Sequence, residues 1–306
     1  MSDPLLRVSD LHKSFRRRGG GRLAAVDGLT LEVPEGGVFG IVGPNGSGKT
    51  TLLRLILGLV RADSGSIELF GRRVPRELPQ VVSRVGALVE GPLLLPHVTG
   101  RRNLQILARI RSLPERRIVE VLELVELLAR ADEPVQSYSL GMRQRLGIAA
   151  ALLSQPRLLI LDEPSNGLDP LGMAQMRTFI ARLVEGGEVT VLLCSHLLAD
   201  VERLATHVAV IDRGRLVAAG TPAELTARAA LAPVLTVHVS DPARAAEVLR
   251  TAGYAVTVAG SGVHVDGEDR RGVLSLLLGA GVDVLSLDRD GPSLESAFLD
   301  LTQGRS

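Results

Sequence analysis

Apolar and polar positions alternate along much of Leu5 to Val33, the period of half-buried antiparallel strands, and the charged, glycine-rich stretch Arg16 to Arg22 supplies the turn. Val38 to Val42 abandons the alternation: Val-Phe-Gly-Ile-Val is apolar throughout, as in a strand covered on both faces. It runs into Gly43-Pro-Asn-Gly-Ser-Gly-Lys-Thr50, after which the spacing predicts a helix from Gly48 to Leu59. Strands are predicted at Ser66 to Phe70 and Arg84 to Val89, and helical periodicity governs Gly100 to Ser154. Arg157 to Glu163 reads as another covered strand, Leu171 to Val184 as a helix, and Glu188 to Cys194 as a third core strand. Strand and helix in alternation imply an α/β fold with a mostly parallel core sheet and right-handed crossovers. The antiparallel strands ahead of it form a β subdomain, and the helical stretch, about residues 90–155, is an insertion into the sheet.

After Thr221-Pro-Ala-Glu-Leu225 an alanine-rich helical link leads to Pro233, and a new set of periodic elements begins. The pattern predicts a strand over Val234 to Val239, a helix over Asp241 to Ala252 and strands near Ala255 and Val263. A helix over Arg270 to Leu278, a strand over Val282 to Leu287 and a helix over Ser293 to Leu301 follow. Asp241 followed by Pro242 is a helix start, since the carboxylate can cap and proline fits the first turn. Two domains are expected, over residues 5–225 and 233–306, the second a small α+β unit; 306 residues suffice to fill both cores.

A net charge of +1 leaves no basic footprint for neutralising phosphates, so no nucleic-acid partner is expected. Aromatic residues are 2% of the chain and tryptophan is absent, which makes base-stacking platforms hard to build. The lone cysteine, Cys194, can form no intrachain disulfide and reads as a small buried apolar residue, in keeping with a reducing cytosol. Met1-Ser2-Asp3-Pro4 lacks the basic-then-apolar pattern of a secretory signal. No stretch reaches the roughly 20 apolar residues that span a bilayer, so the chain is expected to be soluble by itself. Of 35 basic residues only Lys13 and Lys49 are lysines.

That bias sharpens the strongest chemical signal. In Gly43-Pro44-Asn45-Gly46-Ser47-Gly48-Lys49-Thr50-Thr51, backbone N–H groups and a helix N-terminus face an anion. Lys49 places a compact charge on the β and γ phosphates, where it suits better than a planar guanidinium, and Thr50 offers a hydroxyl to Mg²⁺. The second signal is Leu158-Leu-Ile-Leu-Asp162-Glu163, an apolar strand ending in two carboxylates. Strand side chains alternate faces, so the acids can do different work: Asp162 in the Mg²⁺ shell, Glu163 orienting and deprotonating a water. In isolation such a pair often just ends a strand; the phosphate loop upstream gives it its meaning.

With these motifs in place the sequence resembles the nucleotide-binding subunits of ABC transporters over nearly all of residues 5–225. The implied fold is the P-loop NTPase cassette. Tyr138-Ser-Leu-Gly-Met-Arg-Gln-Arg145 stands where that family has its signature, which implies that Ser139 and the Gly141 backbone reach the γ phosphate of ATP on a second subunit's phosphate loop. Ser139 can also cap the helix that follows, aiming a positive helix end at an anion. Ser165-Asn-Gly-Leu-Asp169 resembles the loop that links the two sites, and His196 the switch histidine that contacts the γ phosphate; His12, His97, His207, His238 and His264 read as structural. Phe15 matches the adenine-stacking aromatic, with a plain hairpin role as the alternative. Glu90 stands where most of the family has a glutamine linking Mg²⁺ to the membrane partner, and Leu140 and Met142 replace glycine and glutamine in the signature. These departures resemble the branch that exports drugs and peptide antibiotics, of which bacitracin resistance is the type (ABC-2 type).

The resemblance implies ATP and Mg²⁺ as ligands, ATP hydrolysis through Glu163 with Lys49 and His196, a head-to-tail homodimer and a separate multi-spanning permease. It also implies a cytoplasmic location, peripheral on the inner face of the membrane. Glu90-Gly-Pro-Leu-Leu-Leu-Pro96 is a candidate to receive the permease, with Arg101 and Arg102 as rim charges, or its leucines are simply core. The domain at 233–306, with its closing Leu294-Glu-Ser-Ala-Phe-Leu-Asp-Leu, resembles the accessory domain of this branch and carries no catalytic cluster. The alternative function is a soluble ABC ATPase acting on the ribosome or nucleic acid; an importer subunit and a regulatory protein with a decayed site are further rivals.

Overall fold

The computed structural model describes residues 3–16, 20–228, 234–260, 262–267, 269–290, 294–295 and 297–298, and divides into two compact units at Pro222 and Ala223. In the first unit, strands β1 (Leu6–Arg16) and β2 (Arg22–Val33) pair antiparallel as their alternation requires. With β4 (Ser64–Leu69) and β5 (Arg72–Val74) they form a four-stranded sheet in the order β2-β1-β4-β5. The remaining strands are β3 (Val38–Val42), β6 (Val85–Leu88), β7 (Leu158–Asp162), β8 (Thr190–Ser195), β9 (His207–Asp212) and β10 (Arg215–Gly220), in the order β10-β9-β3-β8-β7-β6. All neighbours in this sheet are parallel except β9 and β10. Every residue of β3 and β8 is buried, which is why β3 and the Val191–Cys194 stretch of β8 read as apolar runs.

Helix α1 (Lys49–Ile56) follows β3 and buries Leu52, Leu53, Leu55 and Ile56 in the space between the two sheets, at about 1.5–3 kcal/mol of hydrophobic stabilisation each. The insertion comprises α2 (Gly100–Ile110), α3 (Glu115–Leu124) and α4 (Leu140–Leu152), then α5 (Pro170–Glu185) and α6 (Leu198–Leu204) connect β7 to β8 and β8 to β9. Their starts are chemically marked. Thr99 accepts from the Arg102 N–H at 3.1 Å, Ser139 from Met142 at 3.2 Å and Asp169 from Gly172 at 2.8 Å, each satisfying an orphan donor of a first turn. The periodicity predicts no helix or strand between the histidine at 196 and Gly220. There the structure has α6 and the β9–β10 hairpin, turned by Arg213 and Gly214, both left-handed, between apolar runs that carried the signal.

The second unit starts within α7 (Pro222–Arg228) and contains β11 (Val234–Val239), α8 (Pro242–Thr251), β12 (Val256–Ala259), β13 (Gly262–Asp266), α9 (Arg270–Gly279) and β14 (Val284–Asp290). The sheet order β12-β13-β11-β14, antiparallel throughout, is the split βαβ arrangement. Both helices bury one face against it: Ala245, Ala246, Leu249, Val273 and Leu277 meet Leu235, Val237, Val239, Val263 and Val265. Asp241 caps α8 with Pro242 in the first turn, as expected. Of the helix expected over Ser293 to Leu301, only 294–295 and 297–298 are described, all helical, and the rest, like the link at 229–233, lies outside the described residues. Among the described residues no helix is long and apolar enough to cross a membrane.

Candidate functional site

Because β3, β8 and β7 are parallel neighbours, the loops at their carboxyl ends meet at one edge of the sheet. The loop after β3 exposes Pro44, Asn45 and Gly46 and buries Ser47 and Lys49. It is shaped from below. Gly48 has φ 107°, and a Cβ there would lie 2.2 Å from the Ala25 carbonyl of β2. The Gly214 N–H donates to the Ser47 carbonyl at 2.8 Å, and its own carbonyl accepts from Asp27 at 2.9 Å. The sequence reading gave no role to Ala25, Asp27 or Gly214; the Asp-Arg-Gly-Arg turn from Asp212 to Arg215 was the available signal. Gly48 supplies no side-chain cap and the first turn of α1 holds no acid, so the N–H groups there are left for an anionic ligand. Lys49 is 6% exposed, and its ammonium donates to the loop's own carbonyls, Gly43 at 2.8 Å and Pro44 at 3.2 Å.

Asp162 ends β7, pairs in register with Cys194 and accepts the Thr50 hydroxyl at 3.0 Å through Oδ2. Its Oδ1 is buried without a partner, as is the Ser47 Oγ. Burial above all raises the Asp162 pKa, the Glu163 charge adds to this, and the Thr50 hydrogen bond and Lys49 oppose it. A half-satisfied carboxylate beside a hydroxyl at the mouth of a phosphate loop fits a hard divalent cation. Among the described residues no three His, Cys, Asp or Glu side chains could cage a metal alone, so the remaining ligands of such a cation would come from phosphate and water.

The two acids diverge for a reason other than strand alternation. Glu163 has left β7 and adopts φ 51°, a left-handed conformation that a residue with a Cβ holds at a cost of about 1–3 kcal/mol. Its N–H still donates to Cys194 at 2.9 Å, while Oε2 accepts from the His196 ring Nδ1 at 2.6 Å and from the His196 backbone N–H at 3.3 Å. Oε1 faces the Lys49 ammonium at 4.0 Å. Lys49, Thr50, Asp162, Glu163 and His196 thus form one connected constellation, and Cys194 beneath it is fully buried, its thiol pKa pushed up by desolvation.

Other expected residues stand apart from it. Glu90, at φ 63° and exposed, is engaged by the Arg54 guanidinium, one turn along α1 from Thr50. Phe15 lies near the end of β1, 39% exposed, with the Lys13 ammonium 5.5 Å from its ring centre. Thr51 is half-buried in the first turn of α1. Ser139 and Gly141, at the start of α4, line a different cavity of about 470 Å³ together with Gly167, Leu168 and Asp169, and no phosphate-loop residue lines it. Arg101 is held by Asp132 in a two-pronged pair, and Arg102, exposed, donates to the neutral Gln105 side chain.

Comparison with known proteins identifies the family. The sequence profile of the ABC transporter family matches residues 26–166. A bacitracin transport ATP-binding protein of Bacillus licheniformis is 36% identical over 98% of both chains. A daunorubicin resistance ATP-binding protein of Streptomyces coeruleorubidus is 37% identical over 99% of this chain and 97% of its own. Among solved structures, a component of the cbiONQ ABC transporter complex of Clostridium perfringens is 26% identical, with a TM-score of 0.66 over 74% of this chain and 92% of its own. An ATP-binding cassette of an ABC transporter in its ADP conformation, also 26% identical, superposes with a TM-score of 0.64 over 73% of this chain and 93% of its own. With its phosphate loop, paired acids and histidine at one sheet edge and relatives matched end to end, the chain belongs to the ABC transporter family as one of its ATP-binding, ATP-hydrolysing proteins.

Proposed function

We propose that the chain powers export of a drug or peptide antibiotic by a separate multi-spanning permease, using ATP hydrolysed between two copies of itself. The observation that carries this reading is the constellation at the mouth of the phosphate loop, in which Thr50 bonds Asp162, His196 bonds Glu163 and the Lys49 ammonium stands 4.0 Å from Glu163. The relatives named for bacitracin transport and daunorubicin resistance, matched over 98% and 99% of this chain, support the cargo class. They also disfavour a soluble ATPase working on the ribosome or nucleic acid.

The N–H groups from Gly46 to Thr51 bind the phosphates, and Lys49 exchanges its two loop carbonyls for phosphate oxygens. Thr50 and Asp162 would hold Mg²⁺, which supplies charge neutralisation between the phosphates. His196 Nδ1 donates to Glu163 Oε2 and fixes that carboxylate, leaving Oε1 to take the proton of the attacking water. Phe15 offers its exposed ring to the adenine, and Glu90 would reach a metal-bound water only by releasing Arg54. Ser139 and Gly141 line a cavity that no loop residue enters, which supports a head-to-tail homodimer in which each copy completes its partner's site. The site then sits on the inner face of the membrane wherever the permease is.

Glu163→Gln keeps the hydrogen bond geometry and removes the base. Steady-state ATP turnover is expected to fall by roughly 10²–10⁴-fold while nucleotide binding persists. Turnover within a factor of a few of the parent would sink the assignment.

A further inference from the structure

Of the chain's two lysines, Lys49 belongs to the phosphate loop, and the chemistry above gives Lys13 no role. A chain that otherwise uses arginine for its basic positions has placed its second lysine two residues before Phe15. The Lys13 side chain is only 15% exposed; its ammonium lies over the Phe15 ring and donates to Asp63 Oδ1 at 2.9 Å. Asp63 does more than hold that cation. Its Oδ2 accepts from the Ser14 N–H at 2.8 Å, from the Ser14 hydroxyl at 2.9 Å and from Arg22 at 3.2 Å. Arg22 in turn donates through Nε to the Ser14 hydroxyl at 2.8 Å. One carboxylate thus engages both residues that precede Phe15 and a residue of the strand opposite.

These contacts fall where the sheet narrows. β4 pairs with β1 only as far as His12, whose carbonyl accepts the Asp63 N–H at 2.9 Å. Beyond that point Lys13 to Arg16 have β2 as their one neighbour among the described strands, and a two-stranded ribbon is marginally stable in water. The Asp63 side chain takes the place of the missing strand. The ribbon also touches the phosphate loop. Lys13 pairs with Val26 and Ser14 with Ala24, so Ala25 is the extra residue of a bulge, and its carbonyl is the atom that leaves no room for a Cβ on Gly48. Phe15 pairs with Leu23, two residues along β2 from that contact. A ring fixed before a base arrives spares the entropy of ordering it on binding.

We propose that Asp63 is a positioning residue for adenine: through Lys13 and Ser14 it holds the Phe15 ring beside the phosphate loop, and the preference for ATP over a triphosphate without a base depends on this clamp. The inference rests on the reading that Phe15 stacks on adenine. A clamp that only supported the fold would affect both ligands alike.

The test measures dissociation constants of ATP and of inorganic triphosphate for the full chain, with EDTA present to prevent hydrolysis. Phe15→Ala should weaken ATP by about 5–100-fold, the usual worth of stacking a base on an aromatic ring, and leave inorganic triphosphate within about twofold. Asp63→Asn and Lys13→Met should each weaken ATP by about 3–10-fold and likewise spare inorganic triphosphate. Added to Phe15→Ala, Asp63→Asn should weaken ATP no further, because the ring through which it acts is gone. Inorganic triphosphate binding reports that the loop is intact in each variant, and Lys13→Met carries the comparison if Asp63→Asn does not fold. An unchanged ATP preference in Asp63→Asn or Lys13→Met, equal weakening of both ligands, or a further loss in the double variant overturns the proposal and leaves the role of Phe15 standing. If Phe15→Ala itself leaves the preference unchanged, the adenine reading falls and the clamp's role falls with it.

Discussion

Replacing Gly48 by alanine should destabilise the protein far more than replacing Gly46, although both belong to the same loop. Both have positive φ, 107° and 82°, so an added Cβ incurs about 1–3 kcal/mol of backbone strain at either position. At Gly46 nothing lies within 4 Å of the new atom, and the strain is the whole effect. At Gly48 the atom would sit 2.2 Å from the Ala25 carbonyl oxygen, well inside contact distance, and the obstacle is the backbone of β2. Relief requires the loop or β2 to move, which adds about 1–3 kcal/mol by analogy with overpacked cores. It also disturbs the Gly214 hydrogen bond to Ser47. The expected losses are about 1–3 kcal/mol for Gly46→Ala and about 2–6 kcal/mol for Gly48→Ala, the second exceeding the first by the cost of moving the loop or β2. Denaturant unfolding without nucleotide, compared at constant slope, measures both. Equal losses, or a Gly48→Ala loss under about 1 kcal/mol, would refute the claim that β2 shapes the loop from below.

Asp63 provides a pH test. The Lys13 ammonium first, then the Ser14 N–H and hydroxyl, hold its carboxyl well below the usual carboxylate range. A depressed folded-state pKa contributes stability that is fully present above the unfolded value, about 4, and is lost as pH falls through the folded value. The stability gap between the parent and Asp63→Asn should therefore narrow from pH 6 to pH 2.5; a constant gap would show that the pairing carries no such linkage. For Arg54 and Glu90, both well exposed, a double-mutant cycle with Arg54→Met and Glu90→Gln should give a stability coupling below about 1 kcal/mol. A coupling above about 2 kcal/mol would mean the pair is shielded from water.

Much of the molecule was legible from local chemistry. The covered strands announced themselves because burial on both faces leaves β3 and the middle of β8, Val191 to Cys194, without a polar residue. The phosphate loop was legible because Gly43 to Thr50 must be contiguous to curl its N–H groups inward, and Asp241-Pro242 and Ser139 because a cap acts within one turn. Each of these depends on residues a few positions apart, and sequence order records such distances.

What needed the tertiary structure involves residues far apart in the chain. Any strand edge offers another the same N–H and C=O groups, so a sequence does not say that β8 lies between β3 and β7; the packing of helices and crossovers decides it. That order delivers His196 to Glu163, 33 residues away, and the Gly214 turn to the underside of the phosphate loop. Likewise the engagement of Glu90 by Arg54 could not be foreseen, since periodicity assigns a residue to a face and leaves its neighbour across the gap unspecified. The sequence by itself determined which chemical groups are present and how each segment curls. Only the folded sheet decided which of them meet, because that depends on surfaces fitting together over distances the chain order does not encode.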